Sequence, residues 1–186
     1  MRYVIPCWPF LYVFAGRVVP AIARVRFGLV GLCAALIWLV VEYVAIWPDH
    51  LAYFNQLAGG PRGGLRWLDD SNVDWGQSLI QLRDHLQERQ IADFRMCAFW
   101  HLDPKVYGIP ATPIEIRDLV SSPPKGILVL SSHCVARVEA FLTILHGDGP
   151  RNWLANLDPD AVVGHTYYIY DVDGRAFSEP LIEPAG

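Results

Sequence analysis

In "DDSNVDWG", Asp70, Asn72 and Asp74 stand at positions 1, 3 and 5 of a calcium-loop spacing. Such a loop also needs glycine at position 6 and a bidentate glutamate at position 12. Trp75 and Gln81 occupy those places, so the sharp turn and the strongest ligand are both missing. Helix capping by Asp74 and turn formation by Asp70 and Asn72 account for these residues better. Just before them, "GGPRGG" (59–64) is rich in glycine but lacks the Gly-Lys-Ser/Thr of a nucleotide-binding loop. With Arg62 and Arg66 it could hold a phosphate through backbone N–H groups and guanidinium forks. The competing reading is an interfacial turn whose arginines meet lipid headgroups.

The six histidines, His50, His85, His101, His133, His146 and His165, show no close metal-ligand spacing, and no metal site is expected. Ser131-Ser132-His133 lacks the Gly-x-Ser-x-Gly elbow of a serine nucleophile. It reads instead as the end of a strand followed by a helix cap. No residue of this chain presents itself as catalytic, and no cofactor is implied.

What positions these residues is a chain of two characters. Of its 186 residues 53% are hydrophobic and 18% charged, a low charged share for a soluble domain. The apolar excess lies before residue 48. Phe27 to Trp47 carries one charge, Glu42, and a spanning helix needs about 20 apolar residues. Its Leu, Ile, Val and Phe residues favour insertion by roughly 3 to 7 kcal/mol, against at most about 3 for Glu42. Insertion wins. Tyr3 to Gly16 is also apolar, but two prolines and a minimal charged start argue against a signal peptide. It reads as a second membrane segment, cut short at its start, so that the spans cover about 3–23 and 27–47. Arg17, Arg24 and Arg26 between them predict a cytoplasmic loop, and hence an extracytoplasmic location for everything after Trp47. Trp47 and Tyr43 would mark the outer interface. A net charge of -4 without a basic stripe gives no reason to expect nucleic acid as a partner.

From residue 48 a junction (48–74) leads into an expected extracytoplasmic α/β domain (75–186). Trp75, Leu79, Leu82 and Leu86 follow a helical period, with Asp74 and Gln77 as a capping box. "FRMCAFW" (94–100) and "GILVLSS" (126–132) read as buried strands. The second is followed by a helix with Val135, Val138, Leu142 and Leu145 on one face. "HTYYIYDVDGRAF" (165–177) reads as a strand, a turn at Asp173-Gly174 and a return strand. The prolines from 104 to 124 predict a long irregular connection. The fold class expected is thus membrane-anchored α/β, two spans and a small domain of two or three layers. Cys97 and Cys134 could pair if the first two strands are neighbours, whereas Cys7 and Cys33 lie in membrane segments. In the junction, Tyr53, Phe54, Leu57, Leu65, Trp67 and Leu68 are too apolar for an open linker. They should pack on the domain or at the membrane interface, with Asp74 starting the helix that receives them.

"HLAYFNQLAGGPRGGLRWLDDSNVDWGQSL", followed by "FWHLDPKVYGIP", resembles the C-terminal part of bacterial polytopic glycosyltransferases similar to the dolichyl-phosphate-mannose-protein mannosyltransferases of glycosyltransferase family 39. The resemblance implies a lipid bilayer, a polyprenyl-phosphate-linked sugar and the remaining transmembrane part of the transferase as partners. It also implies that the catalytic acid stands on an early extracytoplasmic loop, which has no counterpart here. The chain alone is therefore expected to be inactive. The alternative is a membrane-anchored extracytoplasmic interaction module without glycosyl chemistry.

Overall fold

The computed structural model describes residues 6–64, 67, 74–98, 103–121, 124–147, 152–154 and 157–173, with the backbone alone at Arg62. It divides into two compact units, Met1–Trp47 and Pro48–Gly186.

The first unit is helical. Helices α1 (Trp8–Gly16) and α2 (Val18–Ala23) are separated at Arg17, and α3 runs Gly28–Ala45. The break has a local cause: Pro20 has no N–H to offer the Gly16 carbonyl, and its ring crowds that oxygen. Of these helices α3 is long and apolar enough to cross a membrane, while Trp8–Ala23 is shorter. The expected first span is thus a broken helix, with Arg17 at its break and Arg24 and Arg26 at the turn into α3. The Arg26 guanidinium lies over the Phe27 ring, 5.0 Å from its centre.

The second unit is a mixed α/β domain. Short 3-10 turns at His50–Ala52 and Gln56–Ala58 and one helical turn, α4 (Gly60–Gly63), lead towards α5 (Leu79–Glu88). There follow β1 (Arg95–Cys97), β2 (Thr112–Pro113), α6 (Ile116–Ser121), β3 (Ile127–Ser131), α7 (Ser132–His146), β4 (Ala161–Val163) and β5 (Tyr167–Asp171). The sheet order is β2-β1-β3-β5-β4. β1 is parallel to β2 and β3, whereas β5 is antiparallel to both β3 and β4.

Strand alternation sorts the side chains into two cores. Met96, Val129, Tyr167 and Ile169 face one side, where Leu79, Leu82 and Leu86 of α5 cover them. Cys97, Leu128, Leu130, Tyr168 and Tyr170 face the other, under Leu119 of α6 and Val135, Val138 and Leu142 of α7. Helices therefore lie on both faces of one sheet, which explains why the central strands read as unbroken apolar runs.

Several expectations are corrected. Leu145 is exposed, not buried with the other three positions of α7. The segment between the first two predicted strands is not irregular throughout: it holds a 3-10 turn at Pro104–Tyr107, then β2 and α6. The hairpin partner of β5 is β4 upstream, and the return strand expected after Gly174 lies outside the described residues. The helix expected to begin at Asp74 begins at Leu79, with Ser78 at its N-cap.

Candidate functional site: a polar node beside the junction

The reason for the late helix start lies in Asp74 itself. Its Oδ1 accepts the Gly76 N–H at 2.8 Å, and Gln77 Oε1 accepts the Trp75 N–H at 2.7 Å. Both side chains close local turns on the backbone two residues away, the alternative that Asp and Asn offer to a helix. Asp74 is buried, and Trp75 is turned outward to solvent.

The residues that follow, Gln77, Ser78 and Gln81, belong to a node drawn from three distant parts of the sequence. Gln77 Nε2 donates to Thr166 Oγ1 at 3.3 Å, and Ser78 Oγ donates to the Gly164 carbonyl at 3.4 Å. One turn along α5, Gln81 Nε2 donates to Asp49 Oδ1 at 3.1 Å. Thr166 returns its hydroxyl to Gly164 O at 2.9 Å, and its carbonyl accepts the Ser132 N–H at 2.7 Å. Ser78, Thr166 and Ser132 are all buried. The start of the junction, the start of α5 and the β4–β5 turn are thereby tied together. Buried polar groups tied in this way fix one arrangement, because breaking one partner leaves another unsatisfied.

The Ser131-Ser132-His133 run behaves as a strand end and cap: Ser131 Oγ accepts the Cys134 N–H at 3.4 Å at the start of α7. Three residues after Ser131, Cys134 is joined to Cys97 in a disulfide, with Cα atoms 6.1 Å apart. The condition for that pairing, neighbouring strands, is met by the β1–β3 ladder.

The glycine-rich turn is ordered by its own hydrogen bonds. Asn55 Oδ1 accepts the Ala58 N–H at 3.0 Å, and the Asn55 carbonyl accepts from Ala58 and Gly60. Gly59 donates to Gln56 and Gly64 to Pro61. These N–H groups are committed within the turn, so an anion held here would depend on guanidinium groups rather than on that backbone. Arg62 stands on α4, its side chain undescribed, and Arg66 lies outside the described residues, as do Asp70, Asn72 and His101. Among the described residues no three His, Cys, Asp or Glu side chains converge as metal ligands.

A separate cleft of about 380 Å³ opens along the C-terminal half of α5, lined by Arg83, Leu86, Gln87, Ile91, Phe94 and Ile109. Its one cation, Arg83, is paired with Asp84 at 2.6 Å. On α5 too, His85 has a pKa below its ordinary 6.5, first because burial penalises the cation and then because Arg89 repels it, with Glu88 opposing. His85 Nε2 is buried and has no hydrogen-bond partner, which suits a neutral ring. Across the sheet, burial pushes the Tyr170 hydroxyl upward, with Tyr168, Glu139 and Asp158 adding to it, so that phenol stays protonated.

The His85 shift makes a prediction. A folded-state pKa below the unfolded 6.5 means that the unfolded chain binds the proton more readily through that window. The associated stability is present above pH 6.5 and is lost as pH falls towards the folded value. Urea midpoints measured at about pH 7.5 and about pH 5 should fall further for the wild type than for His85→Gln. An equal fall in both would show that the ring titrates normally in the folded domain.

The node was not foreseen from the sequence. Its signal was "AVVGHTYYIY", two apolar runs around a three-residue Gly-His-Thr turn, a recognisable hairpin pattern. No protein-family model matches this chain, and no curated protein or solved structure is similar to it.

Proposed function

We propose that the chain is the membrane-anchored, extracytoplasmic C-terminal portion of a glycosyltransferase that uses a polyprenyl-phosphate-linked sugar donor. The observation that carries the location is the buried Cys97–Cys134 disulfide, since such bonds persist in oxidising compartments and are rare in the cytosol. It agrees with the arginine rule, which puts Arg17, Arg24 and Arg26 inside and residue 48 onward outside. On this reading α3 spans the bilayer, and Trp8–Ala23 belongs to a second span. The glycosyl part rests on the resemblance of residues 50–79 and 99–110 to family 39 transferases. The domain would stand beside an active site built by the remaining transmembrane part, with Arg62 and Arg66 meeting the carrier phosphate.

A photoreactive polyprenyl phosphate supplied to the chain in membranes should label it, and Arg62→Ala with Arg66→Ala should reduce labelling several-fold. The purified 186-residue chain should transfer no sugar from the same carrier. Labelling indifferent to both arginines would sink the carrier contact. Turnover by the purified chain would put the chemistry inside it and overturn the fragment reading.

A second reading, an interaction module without glycosyl chemistry, is favoured by α7. Phe141, Ile144 and Leu145 lie three and four residues apart on one helix face, and all are exposed. Capture of a periplasmic protein by this face, lost in Ile144→Glu, together with no carrier labelling would select it.

A further inference from the structure

We propose that Leu51, Tyr53, Leu57 and Trp67 form a second membrane-contacting surface, seated in the headgroup layer of a phospholipid bilayer. Leu57 is 96% exposed and Trp67 68%, and Leu51 and Tyr53 are exposed as well. Leu57 and Trp67 are left largely uncovered by the domain, and Leu51 and Tyr53 each keep about two fifths of their surface open, 42% and 40%, so the bilayer interface is the surface that would cover them. The segment is not a loose linker that shows its apolar residues by chance. The Trp67 indole N–H donates to the Ala58 carbonyl at 3.2 Å, and Trp67 N–H donates to Gly64 O at 2.9 Å. The ring is therefore held in place with its single donor satisfied.

The backbone argues the same way. Non-aqueous surroundings exact a cost for every unsatisfied N–H, and here those of Ala58, Gly59, Gly60, Gly64 and Trp67 are bonded within the segment. Between His50 and Gly64 the one side chain with a permanent charge is Arg62, a cation suited to anionic headgroups. Tyr and Trp are the residues that prefer this depth, apolar in body with one polar tip. Chain continuity supplies the occupant. Leu51 follows the end of α3 at Ala45 by six residues, a reach of at most about 20 Å. The inference rests on the reading of α3 as a span, and its test separates the two.

The full chain, carrying Cys7→Ser and Cys33→Ser with the disulfide intact, would be given a single labelling site at Leu57→Cys. The control is Val106→Cys, on an exposed residue in the 3-10 turn after β1. Both take a fluorophore and enter phosphatidylcholine–phosphatidylglycerol vesicles that hold lipids with a quencher near the headgroup. Quenching at 57 should be several-fold stronger than at 106, and aqueous iodide should show the opposite order. Leu51→Cys should repeat the result at 57. If both sites are equally open to iodide while the chain resists alkaline carbonate extraction, the surface is overturned and the span stands. Equal lipid quenching at 57 and 106 also overturns it, since the contact would not belong to this segment. Release of the chain by carbonate overturns the span and the surface together.

Discussion

Cys97→Ala combined with Cys134→Ala should cost the Pro48–Gly186 unit about 4 kcal/mol of unfolding free energy relative to the oxidised protein. The bond joins residues 37 apart in sequence, and the chain entropy removed from the unfolded state by closing a loop of that size sets the figure. The loop it closes takes in much of the sheet: β1, β2, α6 and β3 all lie within it or at its edge. Both sulfurs lie on the sheet face shared with Leu128, Leu130 and Val135, where truncation to alanine removes little volume. Domains of ordinary size have about 5 to 15 kcal/mol in total, so the loss would be a large part of the whole. Urea unfolding of the two forms measures it. A difference below about 1 kcal/mol would mean that the bond constrains little in the unfolded chain.

Gly164→Ala should cost about 3 kcal/mol, through two effects of similar size. Gly164 has φ +58°, a left-handed conformation that penalises any side chain by roughly 1 to 2 kcal/mol. A Cβ there would also overlap Ser78 Oγ and Cβ and come within 2.6 Å of Gln81 Oε1. Making room would push α5 from the β4–β5 turn and break the Ser78 bond to the Gly164 carbonyl. Gly126→Ala separates the terms. Its φ is +74°, but a Cβ there would meet nothing within 4 Å, so it should lose only the backbone part, about 1 kcal/mol. Equal losses at the two positions would show that the node yields easily to a methyl group.

Elements whose pattern is local were legible in the sequence. "GILVLSS" became β3 almost to the residue, the strand expected at the start of "HTYYIYDVDGRAF" became β5, and the α7 face was right at three positions of four. Elements that borrow their stability from elsewhere were not. β4 is three residues long and exists by pairing with β5, and α6 is a short helix held by Leu119 in a proline-rich stretch. Asp74 misled for a different reason: a side chain that can cap a helix can equally close a turn, and Gly76 two residues later favoured the turn. The expected phosphate contacts of Arg62 and Arg66 fall on an undescribed side chain and outside the described residues. The polar node was hidden because its partners are far apart in sequence: Ser78 bonds Gly164, 86 residues on, and Gln81 bonds Asp49, 32 residues back.

The two borders of the sheet have a consequence for how this domain can keep company. A bare strand edge invites another chain to add itself, the usual route to strand exchange and fibrous aggregates. Among the described residues one border is β2, two residues long and ending in Pro113, which has no N–H to extend the ladder. The other is β4, three residues long. Neither offers a template of useful length. Among the described residues, backbone pairing with a second chain would therefore be limited to two residues at one border and three at the other.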